Sequence, residues 1–223
     1  MDIHTIKVGV GNCYIVKDEG TILIDGGTPG EFDTFSKGLK DRQMDPKEIK
    51  AIVITHCHWD HIGCAKQIRD LTDAIILVHT YEENVLRKGE RSMPPAVTRW
   101  GKILATLLNS WSRKFSIEPT EVDRVIEDDL PLEEFGVKGK IVWTPGHSHG
   151  SISVVLDSGD AFVGDMAMNG PPLTIGPKLP LFAEDMIALK HSWRKLIHMG
   201  VKRIYPAHGK PFPIEKLLSK VVL

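Results

Sequence analysis

The 223 residues carry 28 Lys and Arg against 29 Asp and Glu, a formal net charge of -1, and 42% of them are hydrophobic. That length suits one larger domain or two small ones with a substantial core, and the balanced charge gives no basic footprint for nucleic acid. The three cysteines Cys13, Cys57 and Cys64 form neither a disulfide framework nor a metal-ribbon spacing, so a reducing cytoplasm is the expected setting.

The N-terminus, with Asp2 and His4, lacks the basic and then apolar pattern of a signal peptide. No run approaches membrane-spanning length, so no membrane segment is expected. Residues 3–10, 13–17 and 21–24 are short, β-branched and separated by Gly11-Asn12 and Glu19-Gly20, which predicts a strand meander. The third run ends in Asp25-Gly26-Gly27. By spacing alone this is a good turn, or else Asp25 braces a neighbouring loop by hydrogen bonding. Residues 31–43 then show helical spacing through Phe32, Phe35 and Leu39, with acidic residues early and Lys40 and Arg42 late.

The apolar run Ala51-Ile52-Val53-Ile54 predicts a buried strand. It leads directly into Thr55-His56-Cys57-His58-Trp59-Asp60-His61. In an extended segment His56 and His58 point to the same side and can share one ion. Asp60 and His61 follow where Gly63 lets the chain turn, and they can face a second ion. Burying three histidines and an aspartate so densely is costly without cations. Cys57 alternates away from its neighbours and is expected to pack as a small apolar side chain. Residues 63–71 predict a helix and 74–78 a strand ending at His79, which is read as structural or rim-forming. Strands alternating with helices imply a layered α/β (α+β) arrangement.

The rhythm breaks over residues 81–119. Trp100, Ile103, Leu104, Leu107, Leu108 and Trp111 make one apolar stripe at helical spacing, so this segment is expected to be a helical insertion whose stripe packs as core, or else serves as a lid or a subunit contact. Short strands resume at 121–126, 141–143, 151–156 and 161–163, a helix is predicted over 184–199, and a further strand covers 203–205. Thr144-Pro145-Gly146-His147, Gly164-Asp165 and Pro206-Ala207-His208-Gly209 sit at the ends of these runs. No linker or low-complexity tract interrupts the chain, so 1–223 is read as a single domain.

With these motifs in their order, the chain resembles the metallo-β-lactamase superfamily over nearly its entire length. The resemblance implies a four-layer αβ/βα sandwich with metals at one edge of two sheets. It implies that His56, His58 and His147 bind a first metal, that Asp60, His61 and His208 bind a second, and that Asp165 bridges them. Asp25 would brace the ligand loop, and Asp60 would orient or deprotonate the nucleophile. His149 departs from the proline common in related hydrolases, and a rim position near substrate or a structural role are both open. The implied cofactors are two divalent ions, Zn²⁺ by ligand type, with Fe or Mn tolerated. A metal-bridging hydroxide would then cleave a small ester, thioester or lactone, as in the glyoxalase II-like and lactonase-like branches, with no separate glutathione-binding C-terminal domain expected. The alternatives are a mononuclear iron persulfide dioxygenase and a small phosphoester hydrolase. The expected partner is a small-molecule substrate, with a second copy in a homodimer left open, and neither nucleic acid nor membrane is expected.

Overall fold

The computed structural model describes residues 1–112, 115–171 and 173–221, and the side chains of 108–112 lie outside the description. The first half of the chain forms a six-stranded sheet in sequence order: β1 (Asp2–Val8), β2 (Gly11–Lys17), β3 (Thr21–Ile24), β4 (Ile49–Val53), β5 (Ile75–His79) and β6 (Arg124–Ile126). Its first three strands are an antiparallel meander. From β3 onward the strands are parallel, so each connection must cross over, and helices supply the crossings: α1 (Phe32–Asp41), α2 (Trp59–Ile62), α3 (Ala65–Thr72), α4 (Glu83–Lys88) and α5 (Arg99–Ser112).

The second half forms another six-stranded sheet, from β7 (Leu130–Pro131), β8 (Gly139–Trp143), β9 (Ile152–Leu156), β10 (Asp160–Phe162), β12 (Arg203–Tyr205) and β14 (Phe212–Pro213). Two-residue strands β11 (Met168–Asn169) and β13 (His208–Gly209) pair beside it, and α6 (Met186–His198) and α7 (Glu215–Val221) cover it.

Strand alternation sorts the side chains into layers. Ile22, Ile24, Ala51 and Val53 enter a core between the two sheets, facing Ile141, Val154 and Phe162. Leu23, Ile52 and Ile54 point the other way, into a core under α1 and α3 with Phe35, Leu39 and Ile68. On the far side, Val142, Val155 and Ile204 pack against Leu189, Trp193 and Leu217 of α6 and α7. The result is the expected four-layer αβ/βα sandwich.

Several local expectations change. Asp60 and His61 lie on the single turn α2, and α3 begins at Ala65, two residues later than expected. Gly63 is right-handed helical, so it is not there to allow a turn. Its role is close approach: a Cβ at this position would sit 2.1 Å from the Pro29 nitrogen. In the insertion, α4 precedes the expected helix, and Gly101 of α5 packs against the backbone of Leu181. Leu104 is buried with Met168, Leu181 and Phe182, whereas Trp100, Ile103 and Leu107 are exposed. The side chains of Leu108 and Trp111, the rest of the predicted stripe, lie outside the described residues. No helix among the described residues is long and apolar enough to cross a membrane.

Candidate metal centre

All seven candidate ligands follow the carboxyl ends of strands. His56, His58, Asp60 and His61 leave β4, His147 lies between β8 and β9, Asp165 follows β10, and His208 follows β12. The backbone joins these ends, since Ile152 N–H donates to the Thr55 carbonyl at 2.9 Å. Gly164 lies in the left-handed region, and a Cβ there would meet Thr55 Oγ1 at 2.6 Å. That close approach brings Asp165 alongside the β4 loop.

Three overlapping triads have ligand atoms within 4.8 Å of one another: His56, His58 and His147; His56, His61 and Asp165; and Asp60, His61 and His208. Hydrogen bonds on the remote ring nitrogens set the tautomers. The Phe182 carbonyl can only accept, so His147 Nδ1 carries the proton of their 2.8 Å contact and Nε2 is left as a lone pair. The same logic applies to His208, whose Nδ1 donates to the Val10 carbonyl at 3.1 Å, and to His61, whose Nδ1 donates to Asp25 Oδ2 at 2.9 Å. The Thr55 hydroxyl donates to Asp25, so its oxygen accepts from His56 Nδ1 at 3.1 Å.

These lone pairs converge. His56 Nε2, His61 Nε2 and Asp165 Oδ1 are buried without a hydrogen-bond partner, and an orphaned polar atom at this depth is costly. His58 Nδ1 and His147 Nε2 are 3.0 Å apart, near the ~3.3 Å between two nitrogens on one tetrahedral cation. Asp165 spans the cluster, with Oδ1 3.3 Å from His208 Nε2 and 3.5 Å from His61 Nε2, and Oδ2 3.7 Å from His147 Nε2. Asp60 Oδ2 lies 3.2 Å from His208 Nε2. Imidazole and carboxylate donors with unpartnered atoms aimed inward fit divalent cations.

The electrostatics divide the cluster. Burial, reinforced by neighbouring imidazoles, holds His56 and His58 well below the usual imidazole range. Burial also lowers His147. Burial opposes charge on His61 and His208 too, but Asp25 and Asp165 carry His61 well upward, and Asp165 and Asp60 push His208 up to about 10. Against its own burial, Asp165 is held well below the usual carboxylate range by His208 and His61. The carboxylate half thus retains positive charge strongly, as a proton or as a metal ion.

Two further carboxylates support the ligands. Asp25 adopts φ 64°, unusual for a residue with a side chain. It is held there by Thr55, whose N–H and hydroxyl donate to Oδ1 at 2.8 and 2.9 Å. Glu82, buried after β5, accepts from Cys57 N–H at 3.0 Å and from the Ser148 hydroxyl at 2.5 Å. It therefore ties the His56 and His58 loop to the His147 loop. Sequence reading passes over Glu82, because nothing local distinguishes it from Glu83, which pairs with Arg87 on the surface.

The remaining candidates fall outside the cluster. Cys57 is buried in the apolar core, as expected. His79 stacks on Trp143 and Tyr81 at centroid distances of 5.4 and 5.3 Å. His149 pairs with Glu184 on the surface, and it is not among the residues lining the cavity beside the ligands. That cavity, about 530 Å³, is bounded by His58, Asp60 and His208 at its base, with Met93, Leu104 and Phe182 on its walls.

Comparison with known proteins agrees with this fold. The sequence model described as the metallo-beta-lactamase superfamily matches residues 6–208. The probable metallo-hydrolase YflN of Bacillus subtilis is 25% identical over 236 residues, covering 94% of this chain and 84% of its own length. The archaeal superfamily protein ST1585 from Sulfolobus tokodaii superposes with a TM-score of 0.73 at 22% identity, over 99% of this chain and 84% of its own. TTHA1623, solved in a di-iron-bound form, superposes with a TM-score of 0.69 at 23% identity, over 98% of each chain.

Proposed function

The chain belongs to the metallo-β-lactamase superfamily, and from that premise we propose that it is a dinuclear metal-dependent hydrolase of a small ester, thioester or lactone with an apolar acyl portion. The observation that carries this reading is the contiguity of the three ligand triads, which share His56 and His61. His56, His58 and His147 would hold one divalent cation, Asp60, His61 and His208 a second, and Asp165 would contact both. Zinc suits the nitrogen-rich donor set, and the di-iron-bound TTHA1623 makes iron the main competitor. When bound, such ions supply Lewis-acid polarisation of the scissile group and acidify a coordinated water.

The chain's own residues supply the rest. Asp60, with 12% of its side chain exposed, borders the cavity and presents a carboxylate to accept a proton from the attacking water. Asp25 and Glu82 fix the ligand loops before substrate arrives, so little reorganisation is needed during reaction. Met93, Leu104, Leu173 and Phe182 line the cavity, and this aliphatic and aromatic wall favours an acyl group over a phosphoryl group.

Metal analysis combined with turnover of a chromogenic thioester, lactone and ester tests the proposal. Two divalent ions per chain and hydrolysis that chelation abolishes are the expected results. A single iron with oxygen consumption on a persulfide would overturn it.

A further inference from the structure

The outer face of α5 is apolar where it should be polar. Leu104 is buried on the cavity side, while Trp100, Ile103 and Leu107 leave 47%, 59% and 62% of their surface in solvent. At roughly 100° per residue, these three side chains form one stripe immediately beside Leu104, and Arg99, Thr106 and Lys102 follow on its far side. The helix therefore grades from cavity wall through exposed apolar stripe to basic rim.

The surrounding sequence has one sign. Between Glu90 and Glu118 stand Arg91, Arg99, Lys102, Arg113 and Lys114 with no Asp or Glu, in a chain whose other residues carry 23 Lys and Arg against 29 Asp and Glu. Among the described residues, Arg99 and Lys102 form no ion pair that would neutralise them. A second copy is a poor occupant, because a two-fold contact would bring together two acid-free basic segments. Nucleic acid is also poor, since Ile103 and Leu107 neither stack on bases nor bind phosphate.

We propose that α5 docks the protein on an anionic lipid surface, with Trp100, Ile103 and Leu107 in the boundary between headgroups and acyl chains and Arg99 and Lys102 on the lipid phosphates. Peripheral contact of this kind needs no spanning helix. It departs from the sequence expectation of no membrane contact, and it stands independently of the hydrolytic reading.

The test is co-sedimentation of the full-length protein with vesicles of phosphatidylcholine alone and of equimolar phosphatidylcholine and phosphatidylglycerol. Binding to the mixed vesicles should be about tenfold or more tighter than to phosphatidylcholine, and it should weaken with added salt. The triple variant Trp100→Ser, Ile103→Ser, Leu107→Ser and the double variant Arg99→Glu, Lys102→Glu should each lose that binding with an unchanged unfolding midpoint. Equal partition to both vesicle types, or to neither, overturns the proposal. So does light scattering that shows a dimer which the triple variant dissociates, for then a second copy covers the stripe.

Discussion

Glu82 touches none of the candidate ligand atoms, yet it joins the two loops that carry His56, His58 and His147. Glu82→Ala would leave the Cys57 N–H buried without an acceptor and the Ser148 hydroxyl with Ser151 Oγ alone, 2.9 Å away, at a cost of about 1–3 kcal/mol of stability. Affinity for the ion on those three histidines should fall roughly 10–100-fold. Chemical denaturation and competition with a chelator measure the two effects separately; lost stability with unchanged affinity would confine Glu82 to the fold. Its titration gives a second readout. Burial raises the carboxyl above its ordinary 4.5, although Ser148 and Cys57 pull it back. The native state therefore binds this proton more tightly than the unfolded chain does, so the contribution is fully present below about pH 4.5 and falls as pH rises through the shifted value. Glu82→Gln removes that dependence and should gain on the parent protein across the window, whereas parallel profiles would mean that the carboxyl titrates normally. Asp165 is the corresponding test of the ligand set, because its two oxygens reach toward both halves of the cluster. Asp165→Ala should lower metal content and, with Lewis-acid stabilisation worth several kcal/mol, reduce hydrolysis by roughly 10²–10³-fold. Full metal content with unchanged turnover would remove the bridging role.

At the scale of elements, what the sequence discloses depends on length and periodicity. β3 and residues 51–53 of β4 are legible because their apolar residues run without charge, and α1 and α6 because their apolar faces repeat over about three turns. Their ends shift by one or two residues, where capping rather than pattern decides. The turn α2 is invisible at four residues, too short to display a period. The pair β11 and β13 is equally hidden, since only tertiary contact sets Met168 against His208. The junction of α2 and α3 gives a sharp test. Gly63→Ala places a methyl group against the Pro29 nitrogen and the Thr28 carbonyl carbon, 2.1 and 2.5 Å away. Backbone cannot yield as a side chain would, so the loss should be at least about 1–3 kcal/mol, read from the denaturation midpoint. A neutral outcome would show that the Thr28 and Pro29 loop moves freely. In the insertion, α5 acts through Leu104 on the cavity wall. Leu104→Ala should reduce kcat/KM for medium-chain acyl substrates about 10–200-fold relative to acetyl substrates, and an equal effect on both would take α5 out of substrate selection.

Across the whole molecule, the candidate ligands are conspicuous in the sequence because histidines and aspartates cluster at strand ends, whereas the cavity walls are not. Met93 and Leu104 come from the insertion, and Met168, Leu173 and Phe182 from the segment between β10 and α6; none stands out until the fold assembles them. The same long-range assembly links metal to folding. His56, His58, Asp60 and His61 belong to the first sheet's half, and His147, Asp165 and His208 to the second's, so an ion held by both is a cross-link between halves. The unfolded chain cannot present this arrangement, and a ligand bound only to the native state stabilises it by about 2.7 kcal/mol at a free concentration of 100 times its Kd. For a chain of this size, each kcal/mol moves Tm by about 2–4 °C. Chelation should therefore lower Tm by roughly 5–11 °C, and restoring zinc should recover it. The protection should also weaken as pH falls, because imidazoles must lose protons to bind metal. Calorimetry on metal-free and reconstituted protein, with metal content checked on both, decides the matter: equal midpoints would mean that packing of the two sheets alone holds the seven side chains in register.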